Sequence, residues 1–477
     1  MNIPVIISFS VYILGMLAIG FYFYHKTNNI SDYVLGGRGL NPVVTALSAG
    51  ASDMSGWLLL GLPGLIYTTG LSGIWIAAGL ITGAFLNWHY IAKRLRIFSA
   101  AFGDAITIPG YLAHRFSNHR LRIVSSLIIL IFYTLYASAG LVGGAKLFEA
   151  TFHLPYQTAL ITGTLIIVSY TFLGGYNAVS WTDFFQGIIM MLALVVVPVQ
   201  VVTELGGLKE TLHLVRVVNP DFLKLAHSGG IAAIISLAAW GLGYFGQPHI
   251  LVRFMSIKKP ERISSAKRIG MSWMVLSMAG SIAVGFFGIA FVHARGTALD
   301  DPEKIFILLS QLLFNPWIAG FVLAAILAAI MSTIDSQLLV SSSCLARDIY
   351  EKSIKKQASD KELVWAGRFT VLAIAGVAWL LSSDPESNVL SLVAYAWAGF
   401  GAAVGPVIIL SLYSRKISAT GALAGILTGA TTVFVWKNLH GGVFDFYELL
   451  PAFVAGTLAT LLFSRLFKPR SRITLPL

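Results

Sequence analysis

The sequence predicts an all-α integral membrane protein of about thirteen transmembrane helices, and three observations carry that prediction. The 477-residue chain is 56% hydrophobic and only 11% charged, whereas about a quarter of an average soluble domain is charged. Apolar runs of about 20 residues, the length that crosses a bilayer, recur from the first residues to the last ten. No run shows the ten-residue alternation of a membrane barrel, so helix is left as the way to satisfy backbone groups in lipid.

The runs centre on 3–24, 41–67, 71–92, 123–148, 157–175, 184–204, 229–251, 271–293, 315–342, 364–383, 388–413, 419–437 and 446–466. The first lacks a basic stretch before it and outlasts a usual signal-peptide core, so it is expected to stay as a helix. Loop charge sets the orientation. Lys93, Arg94, Arg96, Arg115, Arg120 and Arg122 crowd one connection, and Arg253, Lys258, Lys259, Arg262, Lys267 and Arg268 another on the same side. Arg415 and Lys416, with Arg465, Lys468, Arg470 and Arg472 in the tail, join them, while Asp300, Asp301, Glu303, Asp384 and Glu386 face the other way. The N-terminus is expected outside and the C-terminus inside, in a multi-pass protein of the cell membrane.

Several function classes fall away. The net charge of +12 sits in short segments between apolar runs, where lipid and topology account for it and nucleic acid is not expected. The single cysteine, Cys344, allows no internal disulfide and no thiolate cluster. The ten histidines form no HExxH motif and no acid–base set for an enzyme emerges. Without a GxxxxGK[ST] loop, energy for any transport is expected from an ion gradient rather than ATP.

Three polar interruptions break the apolar runs. Ser48 to Trp57 (SAGASDMSGW) puts Asp53 and three hydroxyls in mid-run, with Gly50 and Gly56 on either side. A charge there costs a few kcal/mol by insertion scales, so Asp53 faces protein, water or an ion. It is either a structural carboxylate bonded to neighbouring helices or part of a discontinuous helix whose freed carbonyls bind a cation and whose free N–H groups face a carboxylate. Ala329 to Gln337 (AIMSTIDSQ) adds Ser332 and Thr333, which either bond the carbonyl one turn back or join the first cluster in an oxygen cage for a hard cation such as sodium. Trp240 to His249 (WGLGYFGQPH) has three glycines and a proline beside two large aromatics and reads as a second broken helix. Trp240 and Tyr244, at i and i+4, share a face if the turn is α-helical and then either pack neighbouring helices or enclose a small apolar ring. The two broken runs are five apart, as expected of two inverted halves over 41–204 and 229–413, with an extra helix and loop at 1–40 and two helices and a tail at 419–477.

With Gly174 to Gly187 (GGYNAVSWTDFFQG), Gly36 to Leu40 (GGRGL), Ser52 to Trp57, Met331 to Gln337 and Tyr395 to Pro406 (YAWAGFGAAVGP), the chain resembles the sodium/solute symporter family over nearly its whole length, above all its proline carriers. The resemblance implies a LeuT-like inverted repeat of five helices and uptake of L-proline driven by inward sodium movement, with no cofactor beyond sodium. It implies a sodium site from the carbonyls of Ala51, Met54 and Ala329 and the hydroxyls of Ser332 and Thr333. Asp53, Asp183 and Arg38 match sodium-coupling positions, the last two at a cytoplasmic exit route or gate. Ser55, Gly56, Trp57, Tyr136, Trp240 and Tyr244 match substrate positions. Ile334 departs from the small residue of many relatives. A symporter for pantothenate, a sugar or a short monocarboxylate shares fold and ion site, lithium can stand in for sodium, and a passive channel would explain the spans without two broken helices.

Overall fold

The computed structural model describes residues 3–24, 30–171, 175–469 and 476. Gly174 of the longest motif, and Arg470 and Arg472 of the basic tail, lie outside the described residues. Among the described residues there is no strand, only one bridge between Leu40 and Ile257. Among the described residues ten helices are long and apolar enough to cross a membrane, eleven when the bent pair Gly230–Gly246 and Pro248–Ser256 counts as one.

The difference from thirteen apolar runs has local causes. Pro42–Asp53 is only 12 residues long because the helix stops at Met54, while Gly56–Ala101 runs two apolar segments together through a 3₁₀ turn at Gly70–Gly73. Tyr156–Thr171 has 16 residues, short of the length that spans a bilayer upright.

Burial sorts the helices into centre and rim. Pro316–Ile354 has 83% of its apolar window buried inside the protein, against 28% for Leu449–Leu466. Pro316–Ser343 is therefore the central post, packed against Ile3–Tyr24, Pro42–Asp53, His119–Phe152 and Tyr176–Glu204. The two last helices, Ala419–Trp436 and Leu449–Leu466, pack on each other and on Val389–Tyr413.

Both expected breaks are present. Asn41 caps Pro42–Asp53 by accepting from Val43 N and Val44 N, and Met54 and the extended Ser55 end it. The second break falls at Gln247, with Pro248 opening the next helix at a 47° bend. Proline removes a donor and frees carbonyls one turn back; the Gln247 amide bonds Gly243 O at 3.2 Å and Trp397 O at 3.3 Å. Residues Ala239–Gly246 form a 3₁₀ helix wedged between Ile74–Leu86 and Val389–Tyr413. Glycine permits that approach: a Cβ on Gly83 would sit 2.1 Å from Gly241 O.

Candidate functional site

The interruption of the first broken helix faces the central post. Ser332 Oγ donates to Ala51 O at 2.8 Å and Ala329 O at 3.1 Å, and Ala51, Met54, Ala329, Ser332 and Thr333 are all buried. Thr333 Oγ1 is buried without a hydrogen-bond partner. The fold thus brings together two runs 281 positions apart, and the oxygens gathered there are carbonyl and hydroxyl, the donor set that suits a hard monovalent cation.

Asp53 sits beside this cluster. Tyr244 donates its hydroxyl to Asp53 Oδ2, Trp57 Nε1 donates to Asp53 O at 3.3 Å, and Asp53 Oδ1 has no partner. Ser55 Oγ accepts from Trp57 N at 3.4 Å and Leu58 N donates to Ser55 O. Two of the N–H groups expected to be free near Ser55 and Gly56 are therefore already engaged. Tyr136 lies nearby, fully enclosed, and its hydroxyl lacks an acceptor.

Trp240 and Tyr244 do not share a face. In a 3₁₀ helix, three residues per turn separate i from i+4 by about a third of a turn. Trp240 accordingly stacks on Tyr447 at 5.3 Å and approaches Trp57 at 6.4 Å, whereas Tyr244 meets Asp53 and the edge of Trp397. Trp397, from the Tyr395–Pro406 motif, donates its indole N–H to Trp240 O at 2.8 Å. Trp57, Trp240, Tyr244, Trp397 and Tyr447 together form an aromatic cluster on one side of Asp53.

Asp183 and Arg38 are in different places. Asp183 is fully buried, accepting from Ser48 Oγ at 2.7 Å and Arg253 Nη2 at 3.0 Å. Arg38, with a left-handed φ of 55°, bonds Asp104, Ser99 Oγ, Ala105 O and Met255 O. Burial pulls its guanidinium below the usual value while Asp104 opposes that. Arg38 clamps the loop after Ala101 to the end of Pro248–Ser256.

Arg253 corrects the charge reading. It belongs to Pro248–Ser256 and is 0% exposed, as is Arg115 in Ile108–Phe116, where it donates to Ser411 O and Ser414 O; Arg122 is also buried. These three bases bond protein groups. Arg253 also bonds His249 O and Ser336 Oγ. Ile334 has a plain reason to be large: it fills the space over Gly140, where a Cβ would fall 2.7 Å from Ile334 Cδ1.

Known proteins resemble the chain throughout. The "Osmoregulated proline transporter OpuE" of Bacillus subtilis is 50% identical over 98% of this chain and 96% of its own length. The "Sodium/proline symporter" of Escherichia coli K12 is 49% identical over 98% of this chain and 94% of its own. A solved Na⁺-coupled sialic acid symporter in a substrate-bound outward-open state superposes with a TM-score of 0.82, covering 98% of this chain and 99% of that one at 18% identity. A nucleobase-cation-symport-1 family transporter in a closed conformation gives 0.54 at 15% identity, covering 92% and 93%. These likenesses carry the fold, that of ion-coupled symporters. The profile of the sodium:solute symporter family matches residues 33–429, and with relatives this similar over this length the chain is a multi-pass transporter of that family.

Proposed function

We propose that the protein is a sodium/L-proline symporter that works by alternating access. The observation that carries this is the junction of Ser332 with Ala51 O and Ala329 O beside a largely buried aromatic cluster, in a chain whose half-identical relatives are named sodium/proline symporters. Sodium is held by the carbonyls of Ala51, Met54 and Ala329 and the hydroxyls of Ser332 and Thr333; the unpartnered Thr333 Oγ1 supports this. Proline lies against Trp57, Tyr136, Trp240 and Tyr244. Its carboxylate meets Ser55, Gly56 and the unpartnered Tyr136 hydroxyl, and its ring and cationic nitrogen meet Trp240 and Tyr244 through apolar and cation–π contact. Asp53 couples the two sites, since its neighbours are Tyr244 on one side and Met54 on the other.

Closure around both ligands shuts one access route and opens the other. Sodium raises proline affinity and proline raises sodium affinity by the same factor. Asp183 and Arg38 serve the cytoplasmic route, Arg38 as part of a gate between the loop after Ala101 and the end of Pro248–Ser256. The chain crosses the membrane thirteen times, counting each broken helix and Tyr156–Thr171 as one span, with the N-terminus outside and the C-terminus inside. Residues 41–204 and 229–413 are the two inverted halves, 1–40 the helix and loop before them and 419–477 the helices and tail after. Membrane lipid is the surrounding partner.

Labelled L-proline uptake into proteoliposomes under an inward sodium gradient tests this reading. Accumulation above the external level with sodium, and none with an equal potassium gradient, is expected; equal uptake in both would leave a passive channel. Unlabelled pantothenate, a sugar and a monocarboxylate should fail to compete, and a competitor that abolishes uptake would displace proline as the substrate.

A further inference from the structure

A cavity of about 660 Å³ lies far along the chain from the ion and substrate clusters, where three segments meet. Its walls come from the turn before His119–Phe152, from the start of Ala419–Trp436 and from the residues after Leu449–Leu466. The charge there is one-sided. Arg120 and Lys468 line it, both are exposed, and no Asp or Glu is among the lining residues. Among the described residues neither base forms an ion pair. Arg415 and Lys416, also exposed, stand just before the lining residue Ile417. Two helix starts add to the positive side: Asn118 and Ser418, which line the cavity, are the N-caps of His119–Phe152 and Ala419–Trp436.

The surroundings indicate which anion fits. Leu449–Leu466 has the smallest buried share of the spanning helices among the described residues, 28%. On it Val454, Leu458, Leu462 and Leu466 recur every fourth residue, hence along one side, and are 49%, 61%, 55% and 66% exposed. That stripe is about 18 Å long at the α-helical rise, close to the roughly 15 Å depth of one leaflet of a bilayer. It ends next to Phe467 and Lys468, which line the cavity. An apolar stripe of leaflet length leading to a cavity of unpaired bases matches both halves of an anionic phospholipid. A soluble anion would use the bases and leave the stripe without a role. The volume is within the range of small-ligand sites, about 300–1,000 Å³, and admits a phosphate with its glycerol.

We propose that the cavity binds the headgroup of an anionic phospholipid, with Arg120 and Lys468 as its charged contacts and the stripe from Val454 to Leu466 as the rest for an acyl chain. In the proposed topology this side is cytoplasmic, where the negative surface potential of the leaflet attracts basic segments. The bound lipid ties the start of His119–Phe152, which packs on the central post, to the two last helices, which do not belong to the proposed halves. None of the sodium or proline contacts is needed for this site, so its failure would leave them standing.

Native mass spectrometry of the purified full-length protein in detergent, titrated with dioleoyl-phosphatidylglycerol or dioleoyl-phosphatidylcholine, reads the Kd of the first bound lipid. Phosphatidylglycerol should bind more tightly by about thirtyfold, at about fivefold for each base. Arg120→Gln with Lys468→Gln should remove that preference and leave phosphatidylcholine binding unchanged, while Arg120→Lys with Lys468→Arg keeps it. Lys258→Gln with Lys259→Gln takes the same charge from exposed positions outside the cavity and should leave the preference intact. No preference in the wild-type protein, or an equal loss in the two glutamine double variants, overturns the site in favour of attraction to net charge. Free glycerol phosphate separates the lipid from a soluble anion: displacement of phosphatidylglycerol at concentrations near the lipid's own Kd overturns the lipid, and its persistence under a thousandfold excess supports it. If the glutamine double variant does not fold, the single variants decide, each expected to weaken phosphatidylglycerol about fivefold; no change in either overturns the proposal.

Discussion

Asp53 and Asp183 are both carboxylates inside the helix bundle, and they are neutralised in different ways. Asp183 has a guanidinium, Arg253, at 3.0 Å and a serine hydroxyl at 2.7 Å, and Arg253 in turn bonds His249 O, Ser48 and Ser336. Asp53 has only the neutral Tyr244 hydroxyl, and each of the two carboxylates keeps a second buried oxygen, Oδ1, without a hydrogen-bond partner. The countercharge of Asp183 is supplied by the chain itself, through Arg253. The side chain bonded to Asp53 is a neutral hydroxyl, and in the proposed function its countercharge is the coupling ion. A buried charge of the first kind holds structure, and one of the second kind can be a switch.

The largest expected effect breaks the internal pair. Arg253→Met leaves Asp183 buried and unpaired and is expected to cost about 3–5 kcal/mol of stability, seen as a large fall in the thermal midpoint of the purified protein. Asp183→Leu in the same chain removes the stranded charge and should restore most of the loss, because replacing both members of a buried pair with apolar groups is often close to neutral. A double variant no more stable than the single one would mean that Asp183 and Arg253 do not balance each other, and the contrast with Asp53 would disappear.

Asp53→Asn should show the opposite pattern. The amide keeps the shape and an acceptor for Tyr244, so the midpoint without sodium should stay level or rise. What is lost is the response to sodium. A ligand at 100 times its Kd stabilises by about 2.7 kcal/mol, and the wild-type protein should show a sodium-dependent rise of that order while Asp53→Asn shows little. A full sodium-dependent rise in the variant would assign the ion entirely to the neutral cage.

These two clusters were unequally legible in the sequence. Asp53 announces itself: an acid in an apolar run, bracketed by Gly50 and Gly56, and the helix does stop at Met54. The second break was equally visible in the glycines and Pro248. Arg253 was hidden because it lies five positions before Lys258 and reads as one more base of a loop; its partner is 70 positions away and only the packed fold brings them together. A shared face for Trp240 and Tyr244 required an α-helical turn, and residue spacing does not distinguish that from the 3₁₀ turn present, although the run of glycines is a sign that the backbone there is not ordinary helix.

Trp240 gives the smallest expected effect and bears on the Asp53 side of the comparison alone. Its ring touches Trp57 and stacks on Tyr447, neither of which contacts the Asp183 pair. If the aromatic cluster receives the cationic nitrogen of proline, Trp240→Ala should weaken proline binding by about 0.5–2 kcal/mol, which is roughly two- to thirtyfold in Kd, with the sodium-dependent rise in midpoint retained. Trp240→Phe keeps an apolar ring face and should recover part of the affinity. If the ring only fills space between helices, Ala should lower the thermal midpoint instead and leave proline affinity where it was, and titration calorimetry beside a melting curve separates the two. Since Tyr244 holds Asp53 from within the same 3₁₀ segment, a variant of Trp240 that also abolished the sodium response would mean that substrate and ion are read by one element rather than by two neighbouring ones.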